Sequence, residues 1–129
     1  MANWSGDGVD LPFSACGDFA STQYRFVEVA SAPGFVQQSQ GGSTVYPLGI
    51  AQNDPQSTVG VTVRVHGTSI LKVNADTAIT YGNWLTSNSV GMGIKTTTAS
   101  LPYHAIALEE VASGSNIQIK VLLKHGQIW

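Results

Sequence analysis

Residues 59–66 read VGVTVRVH, and this stretch has the clearest strand periodicity in the chain. Side chains of an extended chain alternate between two faces, so the pattern assigns each residue to one side. The inward face carries Val59, Val61, Val63 and Val65, and the outward face carries Gly60, Thr62, Arg64 and His66. The sequence therefore predicts a strand with one buried and one solvated face.

Residues 116–124 repeat this alternation near the end of the chain. Here the predicted inward residues are Ile117, Ile119, Val121 and Leu123, and the predicted outward residues are Gln118, Lys120 and Lys124. Residues 103–109 are expected to pair with residues 117–123. Gly67 allows a tight reversal, so residues 59–73 are predicted to form a β-hairpin.

The remaining segments are short and separated by turn residues. We predict strands at residues 24–30, 45–51, 81–85 and 94–98, a turn at 31–34, a loop at 35–44, and a helical turn or loop at 75–79. No segment supports a long amphipathic helix. The prediction is an all-β fold, a small barrel or β-tulip-like domain with an extended N-terminal arm. Residues 1–40 would form the arm, with one strand and a loop, and residues 41–129 the barrel-like domain.

The composition points to a protein that associates with others. The 129 residues suit one domain, and only 11% of them are charged against about 25% in ordinary soluble domains. Charged residues are depleted at the cores of protein interfaces, which favours a surface partly covered by other subunits. A β surface rich in Ser, Thr and Asn would give the same composition without any partner.

Charge and segment patterns argue against nucleic acid and membrane partners. The net charge is −2, and the six Lys and Arg residues are scattered and form no stripe that could follow phosphates. We see no run of 18 apolar residues and no signal-peptide pattern. A single cysteine, Cys16, fits folding in a reducing cytoplasm and is expected to be a small buried residue.

We find no motif for catalysis or for a cofactor. The three histidines, His66, His104 and His125, lack a second ligand at metal-binding spacing, which favours solvated or hydrogen-bonded rings. The carboxylates of Glu109 and Glu110 would point to opposite faces of a strand. No nucleophile or phosphate-loop motif is present. The sequence predicts a protein that is not an enzyme and holds no metal or cofactor.

Four segments taken together resemble a known family. Residues 47–51 (PLGIA) precede the alternating strand 59–67 (VGVTVRVHG), followed by 78–85 (AITYGNWL) and 105–123 (AIALEEVASGSNIQIKVLL). This order resembles the capsid cement, or head decoration, proteins of tailed bacteriophages over roughly the last two-thirds of the chain. The resemblance implies a virion protein, assembled in the host cytoplasm, that binds the outer head surface. It also implies a homotrimer that clamps neighbouring major capsid subunits and so stabilises the shell.

The same hypothesis assigns roles to particular residues. Capsid docking is predicted for Trp4, Leu11 and Phe13 in the arm, and oligomer contact for Arg64, Tyr103, Lys120 and Trp129. Trp84 is expected to lie in the core, next to Leu85. Three other functions stay open at this point: a carbohydrate- or cell-surface-binding β module, a tail component of a virion, and a small hydrolase.

Overall fold

The computed structural model describes residues 8–16, 22–41, 47–54, 60–96 and 102–127. These ranges contain no helix, and therefore none long and apolar enough to span a membrane. The strands form one nine-stranded sheet, which confirms the all-β prediction. They are β1 (Gly8–Ala15), β2 (Phe26–Val29), β3 (Phe35–Gln38), β4 (Gly49–Ala51), β5 (Gly60–Lys72), β6 (Trp84–Ser87), β7 (Gly93–Lys95), β8 (Pro102–Ala107) and β9 (Gln118–Gln127).

The predicted hairpin at residues 59–73 is wrong, because β5 runs straight through Gly67 as one strand of 13 residues. Gly67 is opposite Gly8 of β1 on one edge and Leu123 of β9 on the other. Its φ of 97° is readily adopted only by glycine. Because both edges are paired at this residue, the chain continues as one strand instead of reversing.

Strand β5 is shared by two rings of paired strands. The first ring follows the order β1-β3-β2-β4-β5 and closes through the β1–β5 pairing. The second follows β5-β9-β8-β6-β7 and closes through a parallel bridge between Val73 and Gly93. The buried apolar side chains form two groups. One comes from strands of the first ring, and the other combines side chains of the second ring with Phe26 of β2 and Ile50 of β4.

The alternation at residues 60–66 builds the core of the first ring. Val61, Val63 and Val65 are buried as predicted, while Val59 lies outside the described residues. Burying one such side chain contributes about 1.5–3 kcal/mol. The core of this ring comprises Ala15, Val27, Val36, Ala51, Val61, Val63 and Val65, with Phe13 and Leu48 packed against it.

The predicted pairing of the last two segments is found as β8 with β9. Ile119, Val121 and Leu123 are buried as predicted. Ile117 is 48% exposed, so its predicted inward position is wrong. Strand β9 begins only at Gln118, so Ile117 lies before the strand and does not follow its alternation of faces.

The predicted loop at residues 35–44 is wrong in its first part, where β3 lies. Val36 is completely buried, because β3 pairs with β2 on one edge and with β1 on the other. The Gln37 side chain donates a hydrogen bond of 2.8 Å to Glu28 on β2. Glutamines thus occupy strand positions here. The division between residues 1–40 and 41–129 stays a prediction, although β1, β2 and β3 belong to the same sheet as the later strands.

Candidate docking surface

An ion pair fixes the N-terminal strand to the long central strand. The Arg64 guanidinium donates from Nε to Oδ1 of Asp10 at 2.5 Å and from Nη2 to Oδ2 at 3.1 Å. Its Nη1 also donates to the Thr68 carbonyl oxygen at 2.8 Å. The predicted solvated position of Arg64 is therefore wrong, since only 11% of its side chain is exposed. Two parallel bonds to one carboxylate hold β1 in a defined position on β5.

Within the part of the chain that the structure describes, one edge of β1 is largely unpaired. From Gly8 to Ser14 the strand pairs with β5 on one side. On the other side, the Ser14 amide donates to the Gly34 carbonyl at 2.9 Å and the Cys16 amide to the Val36 carbonyl at 2.8 Å. Backbone groups of alternate residues point to the same edge, so those of Asp10 and Pro12 also point away from β5. No strand in the described ranges pairs with Asp10 or Pro12 on that edge.

The apolar side chains of β1 differ in how far they are covered. Val9 is 51% exposed and Leu11 is 41% exposed, whereas Phe13 packs against the core of the first ring. Of the three predicted docking residues, Leu11 thus lies at the surface, Phe13 is partly covered by its own chain, and Trp4 lies outside the described residues. Their docking role stays a prediction.

A second exposed area crosses the outer face of the second ring. Trp84 is opposite Ile106, Ile106 is opposite Leu122, and Leu122 is opposite Thr68, so the four side chains form one row across β6, β8, β9 and β5. The Trp84 ring contacts the Tyr103 ring with a centroid distance of 4.2 Å. The predicted core position of Trp84 is wrong, because it is 36% exposed while Leu85 is fully buried.

The other residues predicted for oligomer contact lie beside this row or outside the described residues. Lys120 alternates with the buried Ile119 and Val121, as predicted, but it is only 9% exposed, so its predicted solvated position is wrong. Lys120 is hydrogen-bonded to the segment that follows β8. The Lys120 carbonyl accepts from the Leu108 amide, and the Lys120 amide donates to Glu109 Oε1 at 2.7 Å. Trp129 lies outside the described residues. The oligomer role of these residues stays a prediction.

Two histidines far apart in sequence meet in the structure. Nδ1 of His104 lies 3.1 Å from Nδ1 of His125, and the His104 ring packs edge-on against Phe26 at a centroid distance of 5.9 Å. Burial, followed by the nearby His125, lowers the pKa of His104 from 6.5 to about 4. Burial, followed by the charge of His66, also lowers the pKa of His125. Both rings therefore favour the neutral form in the folded protein.

Within the described residues, no group of three His, Cys, Asp or Glu side chains is arranged to hold a metal ion. The carboxylate of Glu109 accepts a main-chain hydrogen bond. Cys16 is exposed at the end of β1, so its predicted burial is wrong, because β1 ends at Ala15 and its last buried side chain is that of Ala15.

Sequence reasoning missed the open edge of β1, which is the edge of residues Val9 to Pro12 that faces away from β5, although a signal was present. Residues 9–13 read VDLPF, in which apolar side chains alternate with Asp10 and Pro12. This is strand periodicity with a proline on the side where no hydrogen bond to β5 is needed. The surrounding glycines hid the pattern.

Comparison with known proteins gives the context for this geometry. No protein-family model matches the chain, and no curated protein matches it. A solved structure described as the crystal structure of head fiber gp8.5 N base in bacteriophage phi29 matches with a TM-score of 0.67. The alignment covers 94% of this chain and 98% of that one, at 16% sequence identity. This chain shares the fold of a phage head fiber base. At that identity the likeness shows the fold alone.

Proposed function

We propose that this protein is a structural component of a bacteriophage virion that binds the outer surface of the assembled head. The observation that carries the proposal is the shared fold with a phage head fiber base over 94% of this chain. The resemblance of residues 47–123 to head decoration proteins points to the same part of the virion. A structural role without catalysis, metal or cofactor is part of this proposal.

The proposed action is thermodynamic. A protein that binds the assembled shell and not its dissociated subunits stabilises the shell by the free energy of binding. If each copy contacts neighbouring major capsid subunits, it clamps them together. A homotrimer would add the contributions of its copies, because binding of the first subunit raises the effective concentration of the others.

The described surface offers suitable areas for these contacts. The first is the open edge of β1 with the exposed side chains of Val9 and Leu11, which we assign to shell contact. The second is the row that includes Trp84, Ile106 and Leu122, with the Tyr103 ring against Trp84, which we assign to contact between copies. Exposed apolar area with an aromatic anchor is typical of protein interfaces.

Purified heads that lack the protein would test the proposal. The protein should sediment with these heads and should raise the temperature at which they release their DNA. Dissociated capsid subunits serve as the control and should not bind. Light scattering on the free protein tests the trimer. Absence of co-sedimentation at micromolar protein would contradict the proposed function.

A carbohydrate-binding role is the second candidate, and one observation favours it. The rings of Trp84 and Tyr103 lie 4.2 Å apart at an angle of 36°, and Trp84 is 36% exposed. Exposed aromatic rings on a polar β surface are suitable for stacking against sugars. A glycan array with wild type and Trp84→Ala would test this role, which requires a signal that the substitution removes.

A further inference from the structure

We propose that the edge of β1 from Val9 to Pro12, here called the open edge, binds an extended segment of another protein as an added strand. The inference rests on the proposed function for the source of that segment, a protein of the head shell. Adding a strand to a sheet edge is a common way in which proteins bind extended segments.

The backbone of the open edge sets which hydrogen bonds are available. Leu11 and Phe13 direct their backbone groups to β5, opposite Val63 and Val61. Asp10 and Pro12 direct theirs the other way, in line with the bonds that Ser14 and Cys16 make on that side. Asp10 therefore presents an N–H donor and a carbonyl acceptor, and Pro12 presents a carbonyl acceptor alone.

The side chains beside this edge add an apolar contact. Val9 and Leu11 are 51% and 41% exposed. They alternate with Asp10 and Pro12, and so they lie on one face of the strand. An added strand with apolar residues at alternate positions would cover them. The partner chemistry is thus an extended segment with an apolar face and a free N–H opposite each of the two carbonyls.

The open edge is held in place before any partner binds. The two bonds between Arg64 and Asp10 fix β1 on β5, and the register of β1 continues to Ser14. Gly8 packs so closely on β5 that an added Cβ would collide with the His66 carbonyl. A preformed edge binds with a smaller loss of conformational entropy than a flexible arm.

Two copies of this chain are poor partners for each other at this edge. In antiparallel self-pairing centred on Asp10, two carboxylates would be directly opposite each other, which is unfavourable. Pairing centred on Pro12 would place two residues without N–H groups opposite each other. A segment of a different protein avoids both problems.

A matched pair of substitutions at Asp10 tests the proposal. Asp10→Asn and Asp10→Pro both remove the carboxylate that Arg64 binds, but only proline also removes the N–H on the open edge. Pro12 shows that this strand accepts proline at such a position. In co-sedimentation with heads, we expect Asp10→Pro to bind at least tenfold more weakly than Asp10→Asn. If both variants fold and bind heads with equal affinity, and wild type also binds, the inference about the open edge is overturned and the proposed function stands.

The apolar contact has its own matched pair. Val9→Ser should weaken binding to heads several-fold, whereas Val29→Ser should not, although Val29 on β2 is also exposed, at 62%. If both substitutions weaken binding to heads equally, or if neither weakens it, the proposed contact of Val9 with the added strand is contradicted.

Amide hydrogen exchange on the wild-type protein covers the case in which Asp10→Pro fails to fold. In the free protein, the Asp10 amide should exchange fast and the Leu11 amide slowly. On heads, the Asp10 amide should become protected. An Asp10 amide that stays unprotected on bound heads overturns the inference, whereas failure of wild type to bind heads overturns the proposed function itself.

Discussion

Acid should destabilise this protein through His104, and the size of the effect follows from its surroundings. The His104 ring is 1% exposed, and its pKa is lowered from 6.5 to about 4 by burial and then by the nearby His125. The folded pKa lies below the unfolded one, so the unfolded chain takes up a proton first as the pH falls. The stability that comes from keeping His104 neutral is fully present above pH 6.5 and is lost as the pH falls from 6.5 to about 4.

The magnitude comes from the difference of the two pKa values. One unit corresponds to about 1.4 kcal/mol, so His104 alone should lower the free energy of unfolding by about 2 kcal/mol at pH 5 and about 3 kcal/mol at pH 4. Urea unfolding monitored by fluorescence at pH 7.5, 6, 5 and 4 measures this loss. His104→Gln removes the titrating ring, so the loss in the variant should be smaller by these amounts, whatever the carboxylates contribute to both proteins.

A second variant separates the two causes of the shift. His125→Gln removes the neighbouring ring but leaves His104 buried, and burial is the larger cause. Most of the acid-dependent loss that comes from His104 should therefore remain in His125→Gln, whereas the loss that comes from the lowered pKa of His125 itself disappears. Identical pH profiles for wild type and His104→Gln would contradict this prediction, because they would mean that the His104 ring titrates alike in the folded and unfolded chains.

Three further predictions concern packing and exposure. Gly49→Ala should cost about 2 kcal/mol or more in urea unfolding, because its Cβ would collide with the main chain of β5. Gly60→Ala should change stability by less than about 1 kcal/mol, because its Cβ would meet only the Phe13 carbonyl oxygen, at 3.9 Å. Equal costs would contradict the pairing of β4 with β5. Leu85→Ala should cost about 2–5 kcal/mol and Trp84→Ala about 1 kcal/mol, since Leu85 is buried and Trp84 lies at the surface. The reverse order of stability losses in thermal unfolding would place Trp84 in the core. The exposed thiol of Cys16 should react with maleimide in the native protein as completely as in urea, and labelling that requires unfolding would contradict its position.

The sequence was sufficient for the elements whose side chains alternate clearly. Val61, Val63 and Val65 identified β5, and the final pairing followed from the same periodicity. The continuation of β5 through Gly67 was not predictable, because a glycine allows either a reversal or a continuous strand. Only the pairing of that residue on both edges decides between them.

The missed features depend on contacts between distant parts of the chain. The ion pair between Asp10 and Arg64 joins residues 54 positions apart, and the two histidines are 21 positions apart. Local patterns contain no information on such partners. Strand β3 was missed because its glutamines and the following Gly41-Gly42 pair were interpreted as a polar loop. In the structure Gln37 donates to Glu28 on β2, and Val36 is buried.

Trp84 shows the limit of inference from residue type. A tryptophan next to a buried leucine suggests a core position, but neighbouring residues of a strand face opposite sides. Leu85 is buried and Trp84 consequently faces outward, where its ring meets that of Tyr103. Which of the two faces the core is decided by the register with β8, which one strand alone does not reveal.

Cryo-electron microscopy of heads assembled with and without the protein would show whether the protein binds the head. We expect density of the size of this domain on the outer surface of the head, present only in particles that contain the protein, with β1 against the shell. Density confined to the tail, or heads that are indistinguishable with and without the protein, would contradict it.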